Sequence, residues 1–118
     1  MNPDFPFVGE HSTREEVIEW MRGQDLNLDQ LDNVVLLDSK AQYSGVVPMG
    51  RLLLAAPEQV MSELKMEPLL SLPANASEKE VFELFDKYNL RTLTVVDATQ
   101  RPIGTIAVDD VVSRLVAR

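Results

Sequence analysis

The sequence predicts a mixed α/β (α+β) fold in which two tandem βαββα units pack as one pseudo-twofold module. Three observations carry this expectation. Two nine-residue stretches share one apolar spacing and one capping signal. Each is followed by two short apolar strands around a polar turn. Each strand pair then runs into a second apolar helix, so the order of elements is repeated as well as their character.

Taken in order, an extended piece at residues 5–8 opens the first unit, and residues 69–72 open the second. The first helices cover residues 13–21 and 77–85. Val17, Ile18, Trp20 and Met21 fall on Val81, Phe82, Leu84 and Phe85, an apolar stripe at helical spacing. Thr13 stands three residues before Glu16, and Ser77 three before Glu80. That is the capping-box pattern, in which the hydroxyl accepts from the third backbone N–H and the carboxylate reaches back. The strands follow at residues 35–38 and 94–97, then at 45–48 and 104–107, with turns at 39–44 and 98–103. The second helices are expected at residues 51–56 and 110–115. Thr13 and Asp38 are 25 positions apart, Ser77 and Asp97 only 20, so the first unit has five extra residues, within 23–33.

The expected organisation is therefore a first repeat at residues 5–56, a linker at 57–68 and a second repeat at 69–117. Pro57 suits a first helical position, so a short linking helix is expected at residues 57–64. Units of this size bury too little apolar surface to offset chain entropy alone. The faces expected to join them are Leu52 to Leu54 and Val111 with Val112, with a ligand-sized cleft between the halves.

Composition narrows the function. Apolar residues make up 45% of the 118, in the range of a folded domain. No apolar run approaches the roughly 18 residues of a membrane span, and the first residues lack the features of a signal peptide. Cysteine is absent, which excludes disulfides, thiolate metal sites and cysteine nucleophiles, and agrees with a cytoplasmic location. The formal charge of −8 disfavours nucleic-acid partners and attracts divalent cations. Such a charge also serves solubility alone.

The ordered set of Thr94 to Asp97, then Gly104 to Val111, with its counterpart in the first half, resembles a CBS-domain pair, the tandem regulatory module of cystathionine β-synthase type. The resemblance runs from about Phe5 to Val116. Within that family the chain is most similar to the cytosolic CBS pair of MgtE-type magnesium channels. The stretches that carry this are Gly50 to Pro57, Met61 to Leu64, Glu80 to Leu90 and Ala107 to Val111. The resemblance implies a non-enzymatic regulatory part that forms a homodimer, binds Mg²⁺ through surface carboxylates and signals to a membrane-embedded channel domain. The chain itself holds no pore, so a fragment or a stand-alone relative is expected, with no membrane insertion of its own.

The resemblance also implies an adenine-nucleotide site at the strand-to-helix corner, where a helix N-terminus favours anions. Its residues here are Asp110, which would accept from ribose hydroxyls, with Ala107, Thr105 and Leu72. Ala107 stands where the family has Ser or Thr. In the first half the matching positions hold Pro48 and Arg51, so at most one nucleotide site per chain is expected. The ordinary alternative is that Asp109 and Asp110 only complement a helix dipole.

Magnesium takes oxygen ligands and keeps several waters, so one or two carboxylates suffice per ion. Asp38, Asp97, Asp109, Glu58 and Glu63 stand at element ends where two protomers would bring them together. Ala56 replaces an acidic residue frequent in the subgroup, which removes one position of its metal pattern. His11 reads as an exposed loop residue, Trp20 and Met21 as core, Tyr88 as packing against Leu90 and Arg51 as a surface cation. A metal-dependent hydrolase would need converging acid, base and ligands. Carboxylates scattered at repeat-equivalent positions do not supply them.

Overall fold

The computed structural model describes residues 6–26 and 31–110. The expected helix at 110–115 and the Val111–Val112 face therefore lie outside the described residues, apart from a helical start at 108–110. So do Phe5 and part of the longer first connection.

The first half runs β1 (Phe7–Gly9), α1 (Arg14–Arg22), β2 (Asn33–Leu37), β3 (Tyr43–Pro48) and α2 (Met49–Leu54). The second runs β4 (Leu72–Pro73), α3 (Glu78–Tyr88), β5 (Thr92–Val96) and β6 (Pro102–Ala107). Each half makes a three-stranded sheet with its middle sequence strand at the centre. The outer pairings are parallel on one side and antiparallel on the other: β1 with β2 and β4 with β5, then β2 with β3 and β5 with β6. Val8 opposes Leu36 as Leu72 opposes Val95, so the duplication extends to the register.

Both helix starts form as the capping signal predicts. Glu16 N–H donates to Thr13 Oγ1 at 3.2 Å, and Thr13 N–H donates to Glu16 Oε1 at 2.9 Å. Ser77 caps α3 through Glu80 N–H at 3.2 Å, and there Glu80 Oε1 accepts from the Ser77 hydroxyl at 3.2 Å and not from its backbone N–H. Asn89 ends α3 in the left-handed conformation, its N–H donating to Phe85 O.

Each half has its own core. Val17, Val34, Leu36, Val47, Leu52, Met61 and Leu64 form the first, and Leu72, Val81, Phe85, Leu93 and Val95 the second. Two sequence expectations fail at this level. Trp20 lies on the outer side of α1 at 38% exposure, while Val17, Ile18 and Met21 take the inner side. The apolar face of α2 is also split. Leu52 is buried in the first core, but Leu53 and Leu54 are 64% and 91% exposed and do not join the halves. A six-residue helix can press only one residue per turn into its own core.

Between Pro57 and Pro68 the chain makes a 3-10 turn, Met61–Glu63, where the sequence suggested a longer helix. The reason lies in its hydrogen bonds. The carbonyls of Pro57 and Gln59 accept from Glu15 and Arg14 at the start of α1, at 3.0 and 2.7 Å. Those donors have no partner inside their own helix, and the linker backbone supplies one. The same path drops Met61 and Leu64 into the first core.

Candidate functional site

The halves meet across the sheet faces turned away from the helices. Alternation along β2 and β5 puts Val34, Leu36, Leu93 and Val95 against the helices and Asn33, Val35, Thr92, Thr94 and Val96 on the other face. Val35, Thr94 and Val96 are buried there. Asn33 Nδ2 donates to Thr92 Oγ1 at 2.6 Å, and these two residues occupy the same position in the two repeats. The bond therefore lies at the pseudo-twofold axis. Asp32 and Arg91, one residue earlier in each strand, pair at 3.7 Å. The hairpin tip of the first half also reaches the second, through Tyr43 N–H to Gln100 O at 2.7 Å and Gln42 Nε2 to Thr99 O at 3.1 Å.

Beside this junction lies a cleft of about 280 Å³. Gly45, Val46 and Pro48 of β3 form one wall, residues 66–70 cross another, and Leu90 to Thr94 close it. Gly45 is required at the wall. Its φ is +142°, and a Cβ there would meet Lys65 Cδ at 3.2 Å and Leu69 Cδ1 at 3.6 Å. The Tyr43 hydroxyl donates to Leu70 O at 2.8 Å. Burial pushes its pKa above the usual phenol value, and the neighbouring Thr94 hydroxyl pulls the other way. Tyr43 therefore stays a neutral donor at any physiological pH. The lining is mainly aliphatic and proline surface, with Asn33, Asn89, Thr92 and Thr94 as hydrogen-bonding groups. Among the described lining residues, no nucleophile is paired with a base.

The residues expected at the nucleotide corner do not line this cleft. Thr105 and Ala107 are half-buried on β6, opposite Thr94 and Thr92. Leu72 is fully packed in the second core. Asp109 and Asp110 are exposed at the helical start, where the described residues end. None of these lines the cleft. However, Val46 and Pro48 do, and by register they are the first-half counterparts of Thr105 and Ala107. The cleft thus occupies in the first half the place that the sequence assigned in the second. Arg51 does not block it, because its guanidinium donates to Leu64 O and Lys65 O at 3.2 and 3.1 Å.

Of the carboxylates proposed for metal, Asp38 and Asp97 are turn caps. Asp38 Oδ1 accepts from Lys40 and Gln42 N–H at 2.8 and 3.0 Å. Asp97 Oδ1 accepts from Thr99 N–H, Thr99 Oγ1 and Arg101 N–H at 2.8, 2.6 and 3.1 Å. These bonds hold both carboxyls below the usual carboxylate range. Glu58, Glu63 and Asp109 are exposed. Among the described residues, no three carboxylates or histidines stand together as a metal site. A shallow groove gathers Glu10, exposed His11, Glu16 and Asp38. There Glu10 already accepts from Ser44 Oγ at 2.9 Å, and Glu16 is held by Thr13.

The sequence reading passed over Asp32, Asn33, Tyr43, Arg91 and Thr92. The signal available for two of them was positional. Asn33 and Thr92 stand two residues before the matched strand segments, and equivalent positions in a twofold duplication meet at the axis.

Comparison with known proteins places these features. The family model described as "CBS domain" matches residues 59–117. The magnesium transporter MgtE of Thermus thermophilus is 28% identical over 117 residues, which cover 99% of this chain and 26% of that protein. The MgtE of Bacillus subtilis is 20% identical over 112 residues, covering 95% and 25%. The chain thus spans about a quarter of the length of these curated relatives. Among solved structures, the cytosolic domain of the Mg²⁺ channel MgtE in complex with ATP superposes with a TM-score of 0.86 at 27% identity, over 95% of this chain and 45% of that one.

Proposed function

The chain belongs to the CBS-domain family and is a regulatory module; from there we propose that it is the magnesium-responsive, cytosolic part of an MgtE-type magnesium transporter or a stand-alone relative of it. The observation that carries this reading is the similarity to the Thermus thermophilus transporter over 99% of the chain. On this reading the module does no chemistry, and its repeats divide at residues 5–56 and 69–117. Among the described residues, no helix is long and apolar enough to cross a membrane, so the channel would be a separate part.

Two copies would pair through the exposed Leu53 and Leu54 of α2, which need covering. Carboxylates of the two copies, drawn from Asp38, Asp97, Asp109, Glu58 and Glu63, repel until Mg²⁺ bridges them. Each ion at ten times its Kd stabilises the closed pair by about 1.4 kcal/mol. Titration with MgCl₂, followed by Tm and sedimentation, tests this. Millimolar Mg²⁺ should raise Tm and tighten the dimer, and Asp109→Asn should weaken the response. An unchanged Tm and unchanged sedimentation would reject the magnesium reading.

A second reading is supported by the cleft. At about 280 Å³ it is close to the small end of ligand pockets, and its apolar walls with a few amides and hydroxyls suit a base and a ribose. We propose an adenine nucleotide there, with the corner at Asp110, Ala107, Thr105 and Leu72 as its second-half counterpart. Calorimetry with AMP separates the two places. Leu69→Glu abolishes binding at the cleft, whereas Asp110→Ala abolishes it at the corner.

A further inference from the structure

We propose that the segment between the repeats is a strap that couples α2 to the second sheet, with Arg51 as the positioning residue that pins it. The strap has one end in each core. Met61 and Leu64 pack in the first core, and Leu70 and Leu72 pack in the second. The stretch from Leu64 to Leu70 therefore joins the two cores directly, and its path is felt by both.

Arg51 stands on α2, at the position that Asp110 holds in the second repeat. Its Nη1 donates to Leu64 O at 3.2 Å and to Lys65 O at 3.1 Å. The guanidinium is always protonated, so both bonds are charge-assisted. The next residues of the strap are fastened to β3. Lys65 Nζ donates to Ser44 O at 3.3 Å, and Met66 N–H donates to Val46 O at 2.9 Å. α2 is fixed in turn at its C-terminal end by Arg14, which donates to Leu52 O and Leu53 O. The position of α2 thus sets the path of the strap. Leu53 and Leu54 stand on the same short helix with exposed side chains, so a contact made on them acts on Arg51 and on the carbonyls it holds.

The far end of the strap is the element able to respond. β4 has two residues, Leu72 and Pro73, against three in β1. It is shorter than the usual strand of about 3–10 residues, and Pro73 has no N–H to give to a ladder. Yet Leu72 is 1% exposed and opposes Val95 of the central strand. Its own pairing holds so short a strand weakly, and the strap delivers it to its place. Docked and released β4 are the two states, and α2 biases them through Arg51. The strand-to-helix corner of the first repeat therefore serves as an internal pin, which its Arg suits and an Asp would not.

Hydrogen exchange of the full chain, read by mass spectrometry of its peptides, tests this. Arg51→Ala should speed exchange about five- to tenfold at residues 64–66 and also at residues 69–75, the effect of losing one charge-assisted hydrogen bond. Arg51→Lys restores a charged donor and should return most of the protection. Lys65→Met keeps the stem beside Gly45 and removes the ammonium, so it should loosen the same peptides and decides the question should Arg51→Ala fail to fold. Thr13→Ala weakens the start of α1 and controls for general destabilisation. It should leave residues 69–75 at their original rate. An unchanged rate at residues 69–75 in Arg51→Ala overturns the coupling. So does an equal rise there in Thr13→Ala.

Discussion

Two single residues explain why the hairpins of both repeats look alike. Asp38 and Asp97 each bind the backbone of the turn they open, and the turns close through Ala41 at φ +61° and Gln100 at φ +68°. Left-handed backbone costs an L-residue roughly 1–2 kcal/mol, which glycine avoids at some entropic expense. Gln100→Gly is therefore expected to raise stability by up to about 1 kcal/mol in urea denaturation, and Ala41→Gly by a similar amount. The turn carboxylates also determine the response to acid. The folded state lowers the pKa of Asp38, Asp97 and Glu16. Their stabilisation is thus fully present above the unfolded carboxylate values near 4 and is lost as pH falls below them. Unfolding followed from pH 7 to 3 should show a plateau and then a decline, and Asp97→Asn should make the decline shallower. The turn positions were legible in the sequence as polar gaps between apolar strands. The role of Asp97 as a cap was not, because an exposed Asp at a strand end reads equally well as a cap or a cation ligand.

At the scale of elements, local signals predicted well and packing faces did not. Both N-caps formed where Thr13–Glu16 and Ser77–Glu80 placed them, with the full reciprocal box at Thr13 alone, since a cap is decided within four residues. Thr13→Ala should cost about 1 kcal/mol, read as a lower urea midpoint with an unchanged m-value. α2 differs, having no side-chain cap at its start. Its C-terminal carbonyls are met from outside, by Arg14 Nε to Leu52 O at 3.1 Å and Arg14 Nη2 to Leu53 O at 3.4 Å. The start of α1 thus holds the end of α2. The apolar stripes were read as wholly inward, yet Trp20, Phe82, Leu53 and Leu54 point outward. Spacing identifies a stripe about 100° wide, but how much of it is covered depends on the neighbour. Leu54→Glu checks the consequence. It should leave the stability of a monomer nearly unchanged and weaken self-association by more than tenfold in sedimentation equilibrium.

For the molecule as a whole, the described residues join two small cores through their sheet faces. Leu36, fully buried in the first core, is expected to cost about 2–5 kcal/mol on truncation to alanine. Because Asn33–Thr92 and the Tyr43 bonds tie the halves, that loss should lower a single transition for both repeats, observable by calorimetry. By itself the sequence determined the duplication, the order and type of the described strands and helices outside the linker, the N-caps and the hairpins. All of these are local or follow from comparing one half with the other. The tertiary structure alone decided that the central strands bury both faces, that Asn33 meets Thr92 on the axis, and that the cleft opens on the Pro48 side. Those outcomes depend on how two twisted sheets face each other, a relation between residues about sixty positions apart that neither periodicity nor spacing encodes.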